Sequence, residues 1–220
     1  RLSHRTAIMK RCGADVLHVL GLKSQKQTKM RIAITGGIGS GKSYVCREIE
    51  RHGFTVYDCD SAAKRLMRSD ADLQQALCRL VGDEVCRDGV LQKAVLAEFL
   101  LASEDNKQAL NAVVHPAVAR DFMKSGLVWC ESAILFESRF DERVTFDKVV
   151  CVTAPVETRV ERVMKRDGIS RAKALAWIEA QMPERDIVAR SNWQIVNDGK
   201  ADVKAQVEDL LNKLSIDGLD

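Results

Sequence analysis

The chain of 220 residues has only three prolines, and it contains no CxxC pair, no run of eighteen apolar residues and no internal repeat. Its seven cysteines are scattered at positions 12, 46, 59, 78, 86, 130 and 151, an odd number without metal-ligand spacing. Neither a disulfide framework nor a zinc site is expected, and the setting expected is a reducing, cytoplasmic one. Without a long apolar run, no membrane span is expected either. The lack of a proline-rich linker or low-complexity tract points to one domain carrying an inserted subdomain.

The formal net charge of +3 conceals an asymmetry. Residues 1–29 hold seven of the 34 basic residues and one of the 31 acids, so this segment is +6 and the remainder −3. A nucleic-acid-binding face is therefore not expected on the body of the protein. The lead is Arg/Lys-rich like a targeting peptide, but its apolar part, ADVLHVLGL, is short and interrupted by Asp15 and His18. Residues 1–29 read as a basic extension outside the fold, 30–214 as the domain, and 215–220 as a tail.

Five short apolar segments read as strands: Ile32–Thr35, Thr55–Tyr57, Ser132–Phe136, Val149–Thr153 and Gln194–Val196. Short runs without clean alternation suit parallel strands buried on both faces. Their alternation with helical patterns predicts a parallel α/β sheet. Residues 61–126 show helical spacing with no convincing strand, broken by RDG at 87–89. Trp129, Trp177 and Trp193 read as core or subdomain contacts.

Residues 36–43, GGIGSGKS, fit the pattern GxxxxGK followed by Ser or Thr, between the strand RIAIT and the amphipathic SYVCREIERHG. Glycines let successive backbone N–H groups curl around an anion, at the positive end of the following helix. Lys42 can reach the β- and γ-phosphates of a nucleoside triphosphate, and the Ser43 hydroxyl can ligate Mg²⁺. After the second strand, Asp58 and Asp60 fall in one turn at the sheet edge where the loop also emerges. One carboxylate there could take a proton from an acceptor hydroxyl; helix capping by Asp60 or Ser61 is the plainer alternative.

Arg159, Arg162 and Arg166 follow the fourth strand at i, i+3 and i+7, the spacing of one helical face. Guanidinium groups there could clamp a transferred phosphoryl group from a lid. For Arg159 the expectation is a solvated basic face; Arg162 and Arg166 are candidates for the site. His115-Pro116 should begin or interrupt a helix. A GTPase switch is not expected, since no guanine-reading NKxD is present: Asn212-Lys213 continues Leu-Ser.

In order along the chain, ITGGIGSGKS, GFTVYDCDSAAKRL, VVHPAV, AILFE, VVCVTAPVETRVERVMKRDGIS, IEAQMP and IVNDG together resemble the dephospho-CoA kinase family over nearly all of residues 30–214. The resemblance implies a P-loop kinase fold, related to the nucleoside monophosphate kinases. That fold is a five-stranded parallel sheet flanked by helices, with a helical acceptor-binding insertion at about 61–126 and a lid at about 159–183. It implies transfer of the γ-phosphoryl of ATP to the ribose 3′-hydroxyl of dephospho-coenzyme A, the last step of coenzyme A synthesis.

By residue match, the resemblance makes Asp60 the base, with Asp58 beside the acceptor and His115 in a segment that helps bind it. Gly37, Gly39, Ser40, Gly41, Lys42, Ser43 and Tyr44 hold ATP, Ser43 also Mg²⁺, and Arg162 and Arg166 fall where lid arginines lie. Tyr44 departs from the family's usual threonine and Ala133 from its proline. The glycine after LFE is missing in LFESRF, which bears on Glu137. The partner implied is a small molecule, with no nucleic acid and no membrane, and the oligomeric state stays open. The alternatives are another nucleotide or sugar kinase of the same fold, and an ATP-driven switch that answers to a macromolecule.

Overall fold

The computed structural model describes residues 30–216; the basic extension 1–29 and residues 217–220 lie outside the described residues. Five parallel strands form the central sheet in the order β2-β5-β1-β6-β7. They are β1 (Ile32–Thr35), β2 (Val56–Asp58), β5 (Trp129–Glu131), β6 (Lys148–Thr153) and β7 (Trp193–Val196). Side chains alternate across a strand, so each face of this sheet draws on every second residue. Ile32, Ile34, Trp129, Val150, Val152 and Ile195 pack with Val45 and Ile49 of α1 (Lys42–Arg51) and with Val207 and Leu210 of α10 (Val203–Ile216). Ala33, Tyr57, Cys130, Val149 and Cys151 belong to the core on the other face. Helices cover both faces, so the strand segments are apolar almost throughout.

That second core is completed by α2 (Cys59–Ser69), α3 (Ala71–Val81), α4 (Lys93–Ala102) and α5 (Glu104–Ser125). Its ring cluster joins Tyr57 to Phe122, with centroids 5.1 Å apart, and Phe122 to Phe146 at 5.9 Å. A smaller cluster of Val160, Val163, Ala174 and Ile178 joins α7 (Val156–Asp167) to α8 (Arg171–Glu179). The short α6 (Phe140–Arg143) and α9 (Glu184–Ala189) complete the elements.

Five sequence expectations are corrected by the structure. The third strand of the sheet is Trp129–Glu131, not Ser132–Phe136. After Glu131 the chain turns back on itself, with Ser138 N–H donating to the Ile134 carbonyl and Phe140 N–H to that of Leu135. Leu135 and Phe136 are apolar because they are buried beneath this turn, not because they pair in a sheet. The RDG at 87–89 is the tip of a two-stranded hairpin, β3 (Cys86–Arg87) with β4 (Val90–Leu91), inside the otherwise helical stretch. Asp88 and Gly89 have φ of 51° and 74°, the left-handed pair that a two-residue hairpin turn needs.

His115-Pro116 neither begins nor interrupts a helix, because α5 runs through it for 22 residues. Burial of Leu110, Val114, Ala117, Val118 and Phe122 offsets the about 3 kcal/mol cost of an interior proline. Trp129 is fully buried and Trp193 partly so, but Trp177 is 39% exposed and carries Lys173 over its ring. Arg159 is buried, not solvated.

Candidate active site

The loop between β1 and α1 is held from three sides. From beneath, Arg159 Nε donates to the Ile38 carbonyl at 2.9 Å, and its guanidinium lies 3.8 Å from Glu184. A Cβ on Gly37 would meet that guanidinium, which would have to shift to admit it. From the segment after α8, Gln181 Oε1 accepts from Ile38 N–H at 2.6 Å. From the end of β7, Asn197 Nδ2 donates to the Ser40 carbonyl at 2.9 Å. Gly41, which caps α1 with φ 93°, packs so tightly on this amide that any side chain would strike it.

Lys42 is buried at the first position of α1, its ammonium donating to the Gly36 carbonyl at 2.9 Å. It lies 4.0 Å from Glu131, which ends β5. Burial pulls the Lys42 pKa down against the attraction of Glu131, while burial, Asp58 and Asp60 push the Glu131 carboxyl up. Both groups thus lean toward their neutral forms until further charge enters the site. The Ser40 hydroxyl is buried without a partner, and the Ser43 hydroxyl is exposed at the cleft. A phosphate chain fits this cradle: it would face Lys42 and could accept from the unpartnered Ser40 hydroxyl.

A cleft of about 670 Å³ opens over the loop, lined by Gly39, Gly41, Lys42, Ser43, Tyr44 and, from the far wall, Arg162 and Arg166. Arg162 Nη1 donates to the carbonyls of Gly39 and Ser40, both at 3.3 Å. Arg166 is held by Asp167 at 2.7 Å. A second cavity, of about 360 Å³, is lined by Cys59, Asp60, Asn111, His115 and Glu131 among others. Ala133 lines both cavities, so they adjoin at the turn that follows β5.

The helix cap at this second cavity is Asp58, where the sequence pointed to Asp60 or Ser61. Its Oδ1 accepts from the N–H groups of Asp60 and Ser61 at 2.9 and 3.0 Å, and its Oδ2 from the Ser61 hydroxyl. That leaves Asp60 in the first turn of α2 with an exposed carboxylate, bonded to Lys64 at 2.5 Å. His115 is half-buried, and burial and the charge of Arg143 hold its pKa below the ordinary value. Glu137 accepts from Met182 N–H at 3.2 Å.

The structure therefore gathers Gly37, Gly39, Ser40, Gly41, Lys42, Ser43, Tyr44, Arg162 and Arg166 about the loop. Asp60 and His115 share the adjoining cavity, and Asp58 braces Asp60. Sequence reasoning missed Glu131, Asn197 and Gln181. Glu131 stood in a segment misread as preceding its strand, while Gln181 and Asn197 stood inside the motif strings IEAQMP and IVNDG without a role.

The dephospho-CoA kinase family model matches residues 30–202. A dephospho-CoA kinase of Bacteroides fragilis strain YCH46 is 38% identical over 189 residues, covering 83% of this chain and 91% of the relative. Among solved structures, TT1252 from Thermus thermophilus superposes with TM-score 0.70 at 35% identity, over 86% of this chain and 99% of that one. The dephospho-CoA kinase from Campylobacter jejuni, at 18% identity and TM-score 0.56 over 85% and 98% of the two chains, shares the fold. With the phosphate loop, the acid-bearing helix start and the arginine wall in one colinear order, the chain belongs to the dephospho-CoA kinase family.

Proposed function

We propose that this protein transfers the γ-phosphoryl group of ATP to the ribose 3′-hydroxyl of dephospho-coenzyme A, giving coenzyme A and ADP. The observation that carries this reading is the shared wall at Ala133: the phosphate-loop cleft and the cavity holding Asp60 adjoin there, with Lys42 and Glu131 at the boundary. A donor phosphate over Lys42 and an acceptor hydroxyl beside Asp60 would then meet in line.

Phosphoryl transfer needs little covalent chemistry from a protein and much positioning and charge neutralisation. The loop amides and Lys42 hold the β- and γ-phosphates, whose charge favours the ammonium form of Lys42. Asp60 exchanges Lys64 for the acceptor hydroxyl, orients it and takes its proton. Asp58 keeps the start of α2, and so Asp60, in place. Arg162, and Arg166 on release from Asp167, lay positive charge on the moving phosphoryl group. His115, neutral in its cavity, contacts the acceptor. Ser43 would hold magnesium, and a bound magnesium ion would supply charge neutralisation for the phosphate chain beside Glu131 and Asp60. Among the described residues no three His, Cys, Asp or Glu side chains gather as a metal site.

No helix among the described residues is long and apolar enough to cross a membrane, and the reading places the reaction in the cytoplasm. The test is ADP release from Mg²⁺-ATP with dephospho-coenzyme A, AMP, adenosine, shikimate and gluconate offered separately. The expected outcome is a response to dephospho-coenzyme A alone. A response to one of the others instead would move the chain to another small-molecule kinase. Turnover stimulated only by a macromolecule would favour the switch.

A further inference from the structure

The acid pair Asp58 and Asp60 encloses Cys59, and the buried Glu131 directly follows Cys130. Strand pairing sets Tyr57 opposite Cys130 and Asp58 opposite Glu131, which brings the two cysteines to one side of the β2–β5 edge. Their sulfurs share a hydrogen bond at 3.4 Å. Cys59 is half-buried and lines the cavity that holds Asp60; Cys130 is fully buried behind it. A second close thiol pair, Cys78 and Cys86, lies on α3 and the hairpin and lines neither cavity.

We propose that Cys59 and Cys130 are a reversible thiol–disulfide pair whose oxidation shuts the acceptor half of the site. The oxidant class is a small, uncharged low-molecular-weight disulfide, because Asp60 and Glu131 line the cavity that Cys59 faces and disfavour anionic ones. Cys59, facing the cavity, attacks first: its sulfur bonds to one sulfur of the small disulfide, whose S–S bond breaks and releases one thiol. Cys130, having lost its proton, then attacks the Cys59 sulfur, and the second small thiol leaves. Two protein thiols are oxidised and one small disulfide is reduced to two thiols.

The sulfurs must close from 3.4 Å to the about 2.05 Å of a disulfide, and this draws the start of α2 toward β5. Asp60 adjoins the moving residue, and a displacement of about 1 Å at a reacting group can cost about a hundredfold in rate. The loop over Lys42 is held by Arg159, Gln181 and Asn197, none of them on these strands, so ATP binding should persist.

The consequence for turnover rests on the acceptor assignment above, whereas the cross-link is scored by mass alone. The full chain is incubated with 2-hydroxyethyl disulfide, blocked with an alkylating reagent and digested. The expected product is a peptide pair joined through Cys59 and Cys130, lighter by two hydrogens. Turnover of dephospho-coenzyme A should fall about a hundredfold and return with dithiothreitol, while ATP affinity stays within about twofold. Cys130→Ala should instead retain the hydroxyethylthio group on Cys59. A Cys78–Cys86 link alone, no link, or a Cys59–Cys130 link with turnover unchanged would each overturn the proposal. If the reduced protein leaves dephospho-coenzyme A untouched, the acceptor assignment fails while the cross-link is still decided by mass.

Discussion

Arg162 and Asn197 meet over one backbone oxygen. Both donate to the Ser40 carbonyl, at 3.3 and 2.9 Å, and Arg162 Nη2 reaches the Asn197 Oδ1 at 3.4 Å. The arginine from the far wall of the cleft and the amide from the end of β7 thereby fix the same turn of the phosphate loop. The loop's shape is thus a property of three distant segments, not of its glycines alone.

Asn197→Ala removes the stronger of these two donors from a buried carbonyl. A loss of about 1–2 kcal/mol in unfolding free energy is expected in urea titration. ATP affinity, measured calorimetrically, should weaken about tenfold, because the loop is then less well organised before nucleotide arrives. Unchanged affinity would show that the glycine loop holds its shape unaided.

Lys42→Met replaces a buried ammonium with an apolar chain of similar length. Turnover should fall by about two to three orders of magnitude, since the charge opposite the moving phosphoryl group is gone. The circular dichroism spectrum should not change, because burial already disfavours the charged form and Glu131 can take up a proton. A rate within a few-fold of the parent would remove Lys42 from the reaction.

Asp60→Asn keeps the shape and first-turn position of the side chain but cannot take a proton. ATP should bind within a few-fold of the parent, while turnover drops about a hundredfold or more. Equal loss of ATP binding and turnover would assign Asp60 to nucleotide binding instead.

His115 gives a pH signature. Its folded pKa is depressed below the ordinary value of 6.5, first by burial and then by Arg143, with a bond from the imidazole to the Ser138 backbone opposing them. A depressed folded pKa contributes stability that is present above the unfolded value and lost as pH falls through the folded one. The parent should therefore lose thermal stability faster than His115→Gln as pH falls below about 6.5, and the two should run parallel above it. Parallel curves throughout would mean that His115 is not held neutral by its surroundings.

Much of this was legible in sequence because local chemistry and tertiary role coincide. GGIGSGKS needs its glycines for the turn and its lysine for the anion, so loop, strand and helix are announced together. The ends of β1, β6 and β7 were read to within a residue, since double-sided burial makes the whole strand apolar. The same rule misplaced β5: burial of Leu135 and Phe136 under a turn looks in sequence like burial in a sheet. Arg159 was read as solvated because helical spacing alone cannot say which polar side chain enters the core. Its place under Ile38 depends on a contact 121 residues away. Asn197 and Gln181 act on the loop through single hydrogen bonds across comparable separations, and such partners leave no local pattern.

The central claim concerns which atom receives the phosphate. The most direct measurement is the mass and phosphorus NMR spectrum of the product formed from dephospho-coenzyme A and Mg²⁺-ATP. One added phosphate on the ribose 3′-oxygen, absent with Asp60→Asn over the same interval, is the result expected. A phosphate on any other atom, or unchanged dephospho-coenzyme A beside consumed ATP, would contradict the account.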